Sequence, residues 1–178
     1  MFINSHIATG YIASWFETDK KEWIFLWIFA AFVPDIDGLW SKTVVDHHSV
    51  LHTPIFWIVF CGIGWLIGWL RDDKKMRRIF YIVFFGTQIH LITDFITART
   101  VGIKWLYPLN DVDYFLYSII PEKGEIPVWE MLVPPYILFY FENKVLAVFE
   151  VMLNIIALIL YFFPLKKQIK VSLFQTLI

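Results

Sequence analysis

Residues 54–70 run seventeen positions without a charge, opened by Pro54 and closed by Arg71. A soluble fold has no interior large enough to absorb many such runs, and this chain has several. Residues 79–103 and 145–163 are comparably apolar, and 23–33 is a shorter run of the same kind that extends to Trp40 if its two aspartates are paired or wet. A spanning helix needs roughly 20 apolar residues and seldom fewer than about 17. The segment 3–16 is marginal by that measure. Hydrophobic residues make up 58% of the 178 and charged ones 17%, against about 45–50% and 25% in a soluble domain. The class expected is therefore all-α: one integral membrane domain over 1–178, a bundle of about four to five transmembrane helices. Within it, helices carry the polar motifs over 1–103. Residues 104–144 form an acidic loop region rich in tryptophan, tyrosine and proline, as suits headgroup depth; 145–163 is the last span and 164–178 a tail.

Charge placement orients the bundle. Residues 17–22, 71–78 and 164–178 hold ten Lys and Arg between them, whereas 34–53 and 102–144 hold four. The positive-inside rule puts the first group in the cytoplasm, so the protein is expected in the inner (cytoplasmic) membrane. The basic run 71–78 is then a topology signal, and no nucleic-acid partner is expected. The N-terminus lacks a basic stretch ahead of its apolar segment, so a cleaved signal peptide is not expected. Cys61, alone in an apolar run, excludes an intramolecular disulfide and a cysteine metal cluster. Gly64 and Gly68 are spaced for close helix contact, read here as packing within the chain.

This orientation sends one class of side chain to one depth. His6 falls at the outer end of the first helix, Asp35 and Asp37 at the outer end of the second, and His47, His48 and His52 just before the third. His90 and Asp94 lie in the outer half of the fourth, four apart and so on one helical face. Each has a plainer account alone: a buried hydrogen-bonded pair for His90 and Asp94, a solvated helix-ending turn for Pro34-Asp35-Ile36-Asp37-Gly38, a hydrated loop for 46–53. Together they read as a metal site, because ionisable groups at membrane depth are costly and imidazole with carboxylate suits a divalent ion. Zinc comes first, with manganese or magnesium compatible. Expected ligands are His6, Asp35, Asp37, His47, His52, His90 and Asp94. Two carboxylates at i and i+2 would converge on metal from extended backbone. His47 and His52 are about 140° apart on a straight helix, so a break between them is expected.

The order His6, Pro34-Asp35-Ile36-Asp37, His47-x4-His52, His90-x3-Asp94-x2-Thr97, then Gly102 and Trp105-x2-Pro108, resembles the LexA-binding, inner-membrane-associated predicted metal-dependent hydrolases. The resemblance covers about residues 1–110. His48 stands where that family has arginine, Leu51 where it has threonine, and Thr53 where it has serine. The family is in turn distantly similar to zinc-dependent phospholipase C and P1-type nucleases. The resemblance implies metal-activated water attacking a phosphoester of a lipid or lipid-linked substrate on the extracytoplasmic side. Asp37 or Asp46 would orient that water or take its proton. His48 and Arg99 are the substrate-facing candidates, although an arginine snorkelling to the interface is the simpler account of Arg99. The competing classes are a transporter or metal-handling protein using the same residues, with Glu150 and Asn154 facing His90, and a membrane protein with a purely structural metal site.

Overall fold

The fold is taken from a computed structural model that describes residues 1–163; the tail expected over 164–178, with Lys166, Lys167 and Lys170, lies outside the described residues. The described chain is helical, without strands, apart from a single bridge between Ile103 and Tyr114. Its α-helices are α1 (Ile3–Glu17), α2 (Lys21–Phe32), α3 (Val44–His47), α4 (Pro54–Leu70), α5 (Lys74–Thr97), α6 (Tyr136–Glu142) and α7 (Lys144–Phe162). By length and composition α5 and α7 can cross a membrane. α4 is equally apolar at 17 residues, while α1 and α2 have 15 and 12. The second helix, which could continue to Trp40 if its aspartates were paired or wet, tightens at Val33 into a 3-10 segment, Val33–Leu39. Pro34 explains the change, since it brings no N–H to the α-helical ladder.

α2 lies between α1 and α5; α4 packs on the far side of α5 and α7 on the far side of α1. The α4–α5 seam buries Trp57, Cys61 and Leu91. Gly64 belongs to it, because a Cβ there would overlap the Phe80 ring, and Gly68 lies against Arg77. The glycine pair therefore serves packing within the chain. Polarity is inverted relative to a soluble protein. Ile58, Ile63, Trp69, Val148 and Ile155 face outward, whereas His6, His52, His90, Asp37, Asp94 and Glu150 are at most 1% exposed.

The bundle has two unlike ends. At one, Arg78 from α5 donates to Glu17 of α1 at 2.6 Å and covers the Trp23 ring, and Trp27 Nε1 donates to the same carboxylate. At the other end all five histidines converge.

Candidate metal centre

Small residues set how closely the helices approach, one turn away from the site. A Cβ on Gly10 would lie 2.8 Å from the Ala31 Cβ, and one on Gly86 would lie 2.5 Å from the Ala30 Cβ. Ala30 and Ala31 are fully buried, so α2 is clasped between two glycines. His6 lies one turn from Gly10, Asp35 one turn from Ala31 and His90 one turn from Gly86. These two close contacts thus deliver three polar side chains to one level.

The 3-10 segment aims the carboxylates. At about three residues per turn, Asp35 and Asp37 project to different sides of it, not to the single side that extended backbone would give. The same change of register serves His90. Pro34, three residues beyond Ala31, has no N–H to offer the Ala31 carbonyl, and His90 Nδ1 donates to that carbonyl at 2.8 Å. Since a carbonyl only accepts, neutral His90 carries its proton on Nδ1 and leaves Nε2 bare.

Residues 41–53 supply the rest. Thr43 accepts from the Asp46 N–H and starts α3, which ends at His47; His48 turns the chain, and a second 3-10 turn, Val50–His52, precedes Pro54 and α4. The break expected between His47 and His52 is present. His52 Nδ1 donates to Asp37 Oδ2 at 3.1 Å, and the Ser49 hydroxyl donates to the same oxygen at 2.7 Å. His48 Nδ1 donates to the Gly102 carbonyl at 3.0 Å, and its ring stacks on His52 at 4.2 Å. Gly102 is required there, because a Cβ would lie 2.5 Å from the Tyr114 carbonyl oxygen.

The donor atoms fit a divalent ion. With both Nδ1 protons committed elsewhere, His52 Nε2 and His90 Nε2 face each other 3.2 Å apart, close enough to share one proton or to bind one cation between them. Asp35 Oδ1 lies 3.5 Å from each of these nitrogens, and Asp94 Oδ2 lies 3.0 Å from His90 Nε2 and 3.6 Å from His52 Nε2. Tetrahedral zinc with ligands at about 2.0–2.2 Å has edges of about 3.3–3.6 Å. The other oxygens of the two carboxylates turn toward His6: its Nε2 is 3.1 Å from Asp94 Oδ1 and 3.6 Å from Asp35 Oδ2. His6 Nδ1 is buried without a hydrogen-bond partner, an expensive state unless a ligand satisfies it. The Met1 amine, 2.8 Å from Asp94 Oδ1, is one cation already drawn to that carboxylate. His6, Asp35, His90 and Asp94 form one metal-competent group and His47, His48 and His52 another.

Seven expected ligands thus meet in space, but not in equivalent roles. His47 has both ring nitrogens occupied, Nε2 by Asp35 at 3.0 Å and Nδ1 by Asp37 at 2.7 Å. Burial opposes its charge, yet the bonds and charges of the two carboxylates prevail and raise it to about 9. In this arrangement His47 is a cationic brace. Asp37 stands behind His47 and His52 and does not line the cavity beside the cluster, so it orients imidazoles; the expectation that it handles water is not met by its position. Asp46 is exposed and absent from the cluster, because the one-turn helix α3 directs it away from His47. His48, which sequence spacing left least secure, is inside. Arg99 lines the same cavity as Asp35, His48 and Asp94, having been carried there by the end of α5 at Thr97. Its partners, Glu150 and Tyr140, escaped sequence reasoning; the only signal was an acid inside an apolar span. Glu150 and Asn154 do not face His90. They bond to Arg99, the Phe2 N–H, Asn4 and Ser5.

A family described as YdjM inner membrane protein matches residues 1–169. No curated protein and no solved structure matches the chain.

Proposed function

The chain belongs to the YdjM inner membrane protein family, and from the geometry of its histidine–aspartate cluster we propose that it is a multi-pass metal-dependent hydrolase acting on a phosphoester of a lipid or lipid-linked substrate. The observation that carries the reading is the close-set group of His52, His90, Asp35 and Asp94, whose donor atoms are delivered by separate elements to within 3.0–3.6 Å of His52 Nε2 and His90 Nε2. In this reading α1, α2 with its 3-10 extension, α4, α5 and α7 all span. The cluster lies at the extracytoplasmic end, and the Arg78–Glu17 end lies at the cytoplasm, in keeping with the lysine and arginine bias.

A divalent ion held there supplies Lewis acidity and lowers the pKa of water that it binds. His6, with Asp35 and Asp94, would hold a second ion. The chain's own groups do the rest. The Ala31 carbonyl and Asp37 fix the His90 and His52 rings. Asp35, 14% exposed on the cavity, is the carboxylate placed to accept a proton. His48, tethered through Nδ1 to the Gly102 carbonyl, presents Nε2 as a proton acceptor, 3.9 Å from Asp94 Oδ2. The transport reading loses the support it needed on α7, where Glu150 and Asn154 hold α1 and Arg99 instead.

The test is metal analysis of the protein purified into lipid nanodiscs, for wild type and for His52→Ala and Asp94→Ala, followed by phosphoesterase assays on a panel of phospholipids. Loss of metal in both variants together with metal-dependent hydrolysis by wild type is the expected result. Full occupancy in both variants refutes the site, and occupancy without hydrolysis of any phosphoester refutes the activity.

A further inference from the structure

Arg99 is 8% exposed, and its guanidinium is only half used. Nη1 donates to the Thr97 carbonyl at 3.0 Å and to Glu150 Oε1 at 2.9 Å. Nε and Nη2 are buried and have no hydrogen-bond partner. These two nitrogens form the side edge of the guanidinium, with parallel N–H bonds spaced for two oxygens of one phosphoryl or carboxylate group. Leaving both unpaired costs more than an ordinary lost hydrogen bond, because the group is charged.

The guanidinium is held in place. Glu150, 1% exposed on α7, grips its other edge, and the Tyr140 ring of α6 lies 4.0 Å from the guanidinium carbon. The cavity that Arg99 lines is also lined by Asp35, His48 and Asp94, and it is small, about 50 Å³. That is several times the roughly 10–15 Å³ a single water needs, so the cavity admits more than one small polar group.

We propose that the Nε–Nη2 edge of Arg99, aimed by Glu150 and Tyr140, is a phosphoryl-oxyanion subsite beside the metal cluster. The last helix thereby belongs to the substrate site although it contributes no metal ligand. The proposal rests on the phosphoester reading above.

Inorganic phosphate is the probe, titrated calorimetrically into zinc-loaded full-length protein in phosphatidylcholine nanodiscs, with zinc affinity measured in parallel. Arg99→Lys keeps a cation opposite Glu150 but loses the planar edge; Arg99→Ala removes both. Phosphate affinity is expected to fall roughly 10–100-fold in each, as charged hydrogen bonds of this kind imply, while zinc affinity stays at the wild-type value. Unchanged phosphate affinity in Arg99→Lys overturns the proposal, as does a loss of zinc affinity in that variant, which would make Arg99 structural. Repeating the titration in phosphatidate-containing nanodiscs separates the sources: weakened phosphate binding there assigns the subsite to a lipid headgroup, and unchanged binding assigns it to a soluble phosphoryl group. Arg99-dependent phosphate binding in a protein that hydrolyses nothing upholds the subsite and refutes the hydrolase. Hydrolysis with an unchanged KM in Arg99→Lys does the reverse.

Discussion

Gly86→Ala tests whether helix spacing sets the metal ligands. The new Cβ would lie 2.5 Å from the Ala30 Cβ, with Ala30 and Ala31 backbone atoms at 3.2 and 3.3 Å. Carbon atoms settle at about 3.5–4.0 Å, so α2 and α5 must part by about 1 Å at this level. His90 is one turn further along α5, and its 2.8 Å bond to the Ala31 carbonyl would lengthen to about 3.5–4 Å, beyond hydrogen-bond range. Freed from that bond, the ring loses both orientation and tautomer, a change that lowers metal affinity about 10–100-fold. Overpacking costs about 1–3 kcal/mol, partly offset by up to about 1 kcal/mol from the better helix propensity of alanine. The assay is zinc competition against a fluorescent chelator in nanodiscs, with Gly62→Ala as control, since a Cβ at Gly62 meets nothing within 4 Å. Adding Ala30→Gly to Gly86→Ala should recover most of the lost affinity. If Gly86→Ala binds zinc as tightly as the Gly62→Ala control, the close approach does not position His90 and the reasoning fails.

Asp46→Asn should leave zinc affinity and hydrolysis at wild-type values, because Asp46 is exposed and outside the cluster; a large loss of either would return it to the site. In chelator-treated protein His47 has a pKa raised from 6.5 to about 9. Its contribution to stability, on the order of 3 kcal/mol, is therefore full below about pH 6.5 and gone once the pH has risen through about 9. Thermal melts of the metal-free protein from pH 6 to 10 should fall across that window, and His47→Gln should flatten the fall. Glu17→Gln at the opposite end weakens the partly buried pair with Arg78 and should cost about 1–2 kcal/mol, read as a lower melting temperature with zinc affinity unaltered.

The cluster was legible because an apolar chain has few places for ionisable groups. His6, Asp35, His90 and Asp94 stand out against hydrocarbon, and charge bias alone brings them to one end. The helix seams were legible for a similar reason at Gly64 and Gly68. What periodicity does not carry is side-chain direction in short, irregular segments. The 3-10 register at Val33–Leu39 places Asp37 behind the imidazoles, and the single turn of α3 directs Asp46 to the surface; neither follows from residue spacing. The pairing of Arg99 with Glu150 was hidden by separation, since more than forty residues without regular periodicity lie between α5 and α7. His48 was undervalued because its place depends on the Gly102 carbonyl, and that in turn on a close backbone approach to Tyr114.

Pro34 is usually the kind of residue that limits how long a membrane helix can be. A buried carbonyl left without a donor is costly wherever it lies, so a helix that stops there needs an outside donor, and here the imidazole of His90 provides one at the Ala31 carbonyl. The dependence runs both ways: α2 can change register at this depth because a ring on α5 satisfies its backbone, and that ring keeps a single tautomer because the chain ahead of it lacks one hydrogen. An interruption in one helix is thereby converted into chemical definition of a nitrogen on another.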